Sequence, residues 1–368
     1  MKKNELTDAE LETYARQIVL EDIGYDGQLK LRNARACIVG MGGLGTLLSL
    51  KLVGMGIGYL RMVDRDIVSR SDLHRQHLYD VDSVGQPKVE VALRKLGQLN
   101  PDVELDACPE SLNSVNAEDL IGDMDVVLDG LDRPEPRYIV NRTCNKVKVP
   151  YVFGAAIQTL GNTTTIVPGK TLCLECFMPG LTEDDLPKCG VVGVHPSSLG
   201  IVTAVQAYEA ARVVMGKEPM LLNKLLYIDL GDMKFNTLKL KAREDCPVCG
   251  PMAKEAPPPI RDKFYEETCA RDGRRNFVLT PKKGIEIELQ KVEDIVREKG
   301  FTIKSTGNLG LTFVQPRDVV TSILKSGTMI VQTPPNLTED YREEALGTYK
   351  GILVDGLGLS PGILPDEG

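Results

Sequence analysis

The run Gly40-Met41-Gly42-Gly43-Leu44-Gly45 stands between the apolar stretch ARACIVG and a leucine-rich segment, and few folds accept that combination. Glycines at this spacing let the backbone turn tightly and approach a phosphate or ribose, while a following helix N-terminus favours an anion. Asp64 closes the next apolar run, YLRMVD, 19 residues after Gly45, where an acid for a ribose is expected. VELDAC, MDVVLDG and PYVFGA continue the series. Their hydrophobicity is continuous rather than alternating, which predicts strands covered on both faces. The expected fold is therefore α/β: a Rossmann-like, mixed but mostly parallel sheet with helices on both faces. Its first crossover helix is predicted over 43–56, and NTTTIVPG and LLYIDLGDMKFNTLKL supply the antiparallel strands.

A length of 368 residues suits two domains, and the character of the chain changes near Cys249. Residues 251–260, with Pro257-Pro258-Pro259, read as a stiff polar linker between a domain at 1–250 and a small α+β domain at 261–368. In the second domain NFVLTP, FTIKST, LGLTFVQ, VVTSIL and TMIVQT predict strands, with a helix over 285–299 and a hairpin turn at KSG.

The glycine loop alone would serve NAD equally well. Cationic residues elsewhere favour a triphosphate: Arg75 and Lys88, with Arg16 near the N-terminus, could offset the repulsion between phosphates and an attacking carboxylate. Two unit charges ~4 Å apart at an effective dielectric near ~20 interact by roughly 4 kcal/mol, which is on the order of a thousandfold in rate.

Tyr14-Ala15-Arg16-Gln17, the glycine loop, the pattern D-x-D-x-V-x-x-S-x-L-x-R-Q from Asp64 to Gln76, GQPKVE at Gly85, and Leu128-Asp129-Gly130-Leu131-Asp132 occur here in one order. In this the chain resembles the MoeB/ThiF family, adenylating enzymes of molybdopterin and thiamin synthesis related to the ubiquitin-activating enzymes. The resemblance runs from about residue 8 to 250. It implies an ATP site lined by Gly40, Gly42, Gly43, Gly45, Asp66, Asp72 and Gln76, with Asp64 on the ribose. Arg75 and Lys88 would hold the phosphates and Asp132 a magnesium ion. Arg16 would reach across a homodimer into the partner's site. Two positions depart from the family, which usually has Asn where this chain has Asp72 and Thr-Asp-Asn where it has Leu131-Asp132-Arg133. Asp72 adds negative charge near the phosphates, and Arg133 adds positive charge beside the metal position.

Cys173, Cys176, Cys246 and Cys249 form two C-x-x-C pairs, a donor set that suits tetrahedral zinc. The resemblance implies the same structural site. Cys189, between Lys188 and Gly190, matches the family cysteine that takes the activated carboxylate as a thioester or acyl persulfide in some members. A neighbouring lysine would lower its thiol pKa modestly. His195 reads as structural.

A net charge of −8 argues against nucleic acid or an anionic membrane as the main partner. No apolar leader follows the N-terminus, no segment reads as a membrane span, and nine cysteines without a secretion signal point to a cytoplasmic protein. The expected activity is ATP-dependent adenylation of a carboxylate with release of pyrophosphate. The expected partner is a small ubiquitin-like carrier ending in Gly-Gly, with a separate sulfur donor protein possible. The C-terminus, Pro365-Asp366-Glu367-Gly368, lacks a Gly-Gly tail and so does not read as a fused carrier. Three other readings stay open: adenylation of a small-molecule or peptide carboxylate, a non-catalytic nucleotide-binding scaffold, and a dehydrogenase. The 261–368 domain reads as a docking module or as a buttress of the dimer.

Overall fold

The computed structural model describes residues 3–182, 192–260, 262–269, 274–335 and 341–365. Eight strands form the first sheet: β1 (Arg35–Val39), β2 (Tyr59–Val63), β3 (Glu104–Cys108), β4 (Val126–Asp129), β5 (Tyr151–Ile157), β6 (Leu160–Ile166), β7 (Lys224–Asp229) and β8 (Lys234–Lys239). Their order is β3-β2-β1-β4-β5-β6-β7-β8. The first five are parallel and the last three antiparallel. The strand order reverses between β1 and β4, so the loops leaving their carboxyl ends diverge and open a crevice, the usual ligand position in such sheets.

Every residue of β4 is buried, and only Arg35 of β1 is not, because helices cover both faces. The helix Gly43–Gly54 is apolar on nearly all sides and packs against the sheet and against the helix Pro196–Val214, which itself lies on β4, β5 and β6. In the latter helix Gln206 and Glu209 are buried too. Gln206 donates to the carbonyls of Asp129 and Val152 at 3.1 and 3.2 Å, and Glu209 accepts from Thr165 and from the backbone at Met220 and Leu221. Among the described residues no helix is long and apolar enough to cross a membrane.

The second sheet is antiparallel: β9 (Tyr265–Cys269), β10 (Arg275–Leu279), β11 (Thr302–Thr306), β12 (Gly310–Gln315), β13 (Val319–Leu324) and β14 (Met329–Gln332), in the order β11-β12-β13-β14-β10-β9. The helices Leu289–Glu298 and Arg342–Leu353 close one face over Phe277, Phe313, Val292, Val296 and Tyr349. Fully burying such a side chain is worth about 1.5–3 kcal/mol. β9 and the helix Arg342–Leu353 lie beyond what the sequence pattern predicted.

The other face of this sheet meets the loop and helix around residues 85–90 and the segment after β3. Thr312 donates to the Gly85 carbonyl at 2.9 Å, and a Cβ on Gly310 would stand 2.6 Å from the Pro87 ring. Glu90, in the first turn of the helix Lys88–Leu99, accepts from the backbone N–H of Asn308 at 2.6 Å and of Leu309 at 3.0 Å. Ser326 donates to the Pro109 carbonyl at 2.6 Å. The domain expected to be a docking module or a dimer buttress thus lies against the Gly85–Lys88 segment of its own chain.

Candidate active site

The loops after β1 and β4 are back to back. Gly40 has φ +93°, and a Cβ there would stand 2.6 Å from the Gly130 carbonyl oxygen, while a Cβ on Gly45 would collide with the Gly40 carbonyl. Gly43 is closed off by Leu199 at 2.8 Å. Gly42 alone of the four has open space, its nearest neighbour being Gln76 Nε2 at 3.9 Å. The fingerprint therefore divides its labour. Gly40, Gly43 and Gly45 let protein approach protein, and Gly42 leaves room for a ligand.

Asp64 lies under this loop. Its carboxylate accepts from Met41 N and from Asp66 N, both at 2.6 Å. Burial, and then the charge of Asp66, push its pKa up to about 6. Asp66 is about half exposed and pairs with Lys88 Nζ at 2.9 Å. Crowding by protein raises its pKa, but Lys88, Arg65 and Arg133 outweigh that and bring it to about 2. Lys88 is buried, which alone would depress its pKa; the carboxylates of Asp66, Asp64 and Asp72 instead hold it well above the ordinary lysine value. An ammonium buried among three carboxylates stays charged, as a phosphate-binding lysine must.

Asp72 spends its charge locally. One oxygen accepts from Ser69 N and Ser69 Oγ at 2.9 and 3.0 Å; the other accepts from Gln76 Nε2 at 2.8 Å and faces Arg75 at 3.3 Å. All four partners are donors, which a carboxylate satisfies and an amide cannot without turning its NH2 toward one of them. Arg75 also donates to the Ser71 carbonyl at 2.6 Å. Gln76 is buried beside Gly42, and its Oε1 has no hydrogen-bond partner among the described residues.

Asp132 is exposed at the end of β4 and makes no hydrogen bond or ion pair among the described residues. Below it Asp129 binds Arg137 at 3.0 Å and Tyr151 Oη at 2.6 Å, and Arg137 donates to the carbonyls of Leu131 and Gly154 at 2.6 and 3.0 Å. This buried network fixes the loop that presents Asp132. Breaking such a pair costs about 3–5 kcal/mol. Arg133 pairs with Glu266 of β9, which Arg65 also holds, through Nη2 at 2.9 Å and a second contact from Nη1. Burial raises the Glu266 pKa, but Arg65 and Arg133 bring it to about 2. Sequence reasoning missed Glu266 and Arg137.

Arg16 is exposed on the short helix Ala15–Ile18 and has no hydrogen-bond partner among the described residues. Cys189 lies outside the described residues. His195 accepts from Ser197 N at 3.1 Å and caps the helix Pro196–Val214, a structural part as expected.

At the far end of the sheet the four cysteines converge. Cys173 and Cys246 are 3.6 Å apart, Cys176 and Cys249 3.4 Å, and all four sulfurs lie within 4.8 Å of one another. Thiolates about 2.3 Å from one ion in a tetrahedron stand roughly 3.8 Å apart. The cluster could hold zinc.

A parallel sheet with a glycine loop, a ribose-type acid, a buried lysine and a free strand-end aspartate at one crevice defines a nucleotide-binding domain. Residues 14–248 match the ThiF family, and the chain belongs to that family. It is 36% identical over 265 residues to the SAMP-activating enzyme E1 of Haloferax volcanii, covering 71% of this chain and 96% of the relative. It is 33% identical over 301 residues to the adenylyltransferase and sulfurtransferase MOCS3 of Culex quinquefasciatus, covering 80% of this chain and 67% of the relative. The chain spans a smaller share, 55%, of the MOCS3 of Drosophila persimilis. Among solved structures, E. coli MccB with ATP is similar at 26% identity and TM-score 0.55, covering 61% of this chain and 69% of that one.

Proposed function

We propose that the chain uses ATP to adenylate the C-terminal carboxylate of a small ubiquitin-like carrier protein ending in Gly-Gly. A carboxylate oxygen attacks the α-phosphorus, the bond to the bridging oxygen breaks, and pyrophosphate leaves with its electron pair, giving a mixed acyl-phosphate anhydride. The observation that carries the reading is the placement of Gly42, Asp64, Lys88 and Asp132 around one crevice in a member of the ThiF family. The 36% identity to an enzyme named as SAMP-activating, over nearly its whole length, supports a protein carrier.

In this site Asp64 accepts from the ribose hydroxyls, Gly42 admits the nucleotide, and Lys88 turns from Asp66 toward the phosphates. Arg75 adds a second cation. Asp132 offers one carboxylate for a magnesium ion, which would neutralise phosphate charge when bound with ATP. Arg16 serves the site of the partner subunit in a homodimer, and the four cysteines hold a structural zinc. A sulfur donor acting on the activated carrier would be a separate protein, and Cys189 is the residue to test for a covalent role.

The test is ATP–pyrophosphate exchange with candidate carriers whose Gly-Gly tails are intact or truncated. Exchange that depends on the intact tail is expected. Exchange with a small-molecule or peptide carboxylate instead would change the acceptor. ATP binding without exchange for any carboxylate would favour a scaffold.

A further inference from the structure

Lys88 is the first residue of the helix Lys88–Leu99, and both domains hold the chain that leads into it. From the first domain, the carbonyls of Val68 and Asp66 accept from Gly85 N and Lys88 N, both at 2.9 Å, and Pro87 faces Ile67 across an isolated bridge. The second sheet reaches three residues around the lysine: Gly85, Pro87 and Glu90. Thr312 of β12 donates to the Gly85 carbonyl at 2.9 Å. That uses the one proton of its hydroxyl, so Ser322 is the donor in the 2.7 Å contact between the two buried side chains. Gly310, also on β12, leaves room for the Pro87 ring, since a Cβ there would stand 2.6 Å from it. The turn before β12 gives two backbone N–H groups, of Asn308 and Leu309, to the Glu90 carboxylate at 2.6 and 3.0 Å.

Gly85 is the joint of this segment. Its φ of +91° is a conformation that glycine adopts without strain. Its N–H is fixed by the first domain and its carbonyl by the second. The Lys88 ammonium, by contrast, is held by carboxylates of the first domain alone: Asp66, Asp64 and Asp72. To reach a phosphate the side chain must swing about its own Cα, so the place of the first helical turn sets the arc open to the ammonium. A displacement of about 1 Å can cost on the order of a hundredfold, even when its cause is far from the chemistry. We infer that Thr312 and Glu90 are positioning residues for Lys88: through them β12 and the turn before it fix the root of the phosphate-binding lysine. The second domain then takes part in nucleotide binding by holding the backbone that carries Lys88, without touching the ammonium.

The inference rests on the proposed use of Lys88 for the phosphates, and the test separates the two. Affinities for ATP with magnesium, and for adenosine, which has no phosphate, are measured by calorimetry on the full chain. Lys88→Ala should weaken ATP on the order of a hundredfold and leave adenosine within about twofold. Unchanged ATP affinity in that variant would remove the phosphate role of Lys88 and the inference with it. Thr312→Val combined with Glu90→Ala should weaken ATP about tenfold, again with adenosine within about twofold. In a Lys88→Ala background the same pair should change ATP affinity by less than about twofold, because the lysine through which it acts is gone. Residues that only tie the domains together would weaken ATP and adenosine alike, whether or not Lys88 is present, and that pattern overturns the inference. So does wild-type ATP affinity in the folded double variant. If the double variant does not purify, Thr312→Val alone must weaken ATP about threefold with adenosine unchanged, and Thr312→Ser, which keeps the hydroxyl, must bind ATP as the wild type does. No loss of ATP affinity in Thr312→Val, or an equal loss in Thr312→Ser, overturns the inference as well.

Discussion

Two places in this molecule offer metal-binding groups, and they are built in opposite ways. The four cysteines close on one another, largely buried, with sulfurs at tetrahedral spacing and no position left for a substrate. Asp132 stands exposed just past a strand end, with a buried scaffold of Asp129, Arg137 and Tyr151 beneath it. A closed site stabilises, whereas an open one leaves coordination positions to be filled by a ligand. The difference teaches that burial of the donors, more than their number, separates a structural centre from a reactive one.

The largest effects should come from breaking the open end. Lys88→Ala removes the buried cation and leaves the Asp64–Asp66 pair uncompensated, so exchange should fall on the order of a thousandfold or more. Asp132→Ala should lose exchange to a similar degree at nearly unchanged melting temperature, because the residue is outside the core. Near-normal exchange in Asp132→Ala would remove the contrast. Arg16→Ala should be inactive alone and regain activity when mixed with Lys88→Ala, if subunits exchange; failure to complement would place Arg16 outside the partner's site.

At the closed end the effect should be on stability. Cys246→Ser should release metal and lower the melting temperature by about 10 °C or more, since metal binding is linked to folding. Full metal content at an unchanged melting temperature would refute the assignment.

A smaller effect concerns pH. Glu266 has its pKa lowered to about 2 in the folded chain, so its ion pairs stabilise the protein above the ordinary glutamate range and are lost as pH falls toward 2. The amount is roughly 3 kcal/mol. Melting temperature followed from pH 6 to pH 2.5 should drop less steeply in Glu266→Gln than in wild type, and equal slopes would contradict this. Glu10, also lowered to about 2 and paired with Arg32 and Lys3, provides a background acid loss common to both proteins. The smallest change is Thr312→Val, which strips the Gly85 carbonyl of its donor and should cost about 1–2 kcal/mol in a denaturant titration.

The first sheet was largely legible because its information is local. Continuous apolar runs mark strands covered on both faces, and the glycine loop and Asp64 fall at the ends of two of them. The cysteine pairs were legible for the same reason, since two short motifs define four ligands. The second sheet was legible only in part. Thr312 and Ser322 alternate with apolar neighbours and read as solvent-facing, yet both are buried, bonded to each other at 2.7 Å and placed against the first domain. YEETC, which forms β9, is rich in acidic residues and shows no apolar run. Glu266 gave no signal because its partners Arg65 and Arg133 are 201 and 133 residues away. The departures at Asp72 and Arg133 were visible as residues but not as partners. By sequence alone they were an added negative charge near the phosphates and an added positive charge beside the metal position; in the fold one is a local acceptor for four donors and the other pairs with Glu266 of the second sheet.

The most direct test of the central claim is the mass of the carrier itself. Incubated with the protein, ATP and magnesium, an intact Gly-Gly carrier should gain the mass of an AMP moiety at its C-terminal carboxylate, and a carrier lacking the final glycine should gain none. An unmodified intact carrier, under conditions where the protein demonstrably binds ATP and pyrophosphatase removes the back-reaction, would contradict the account.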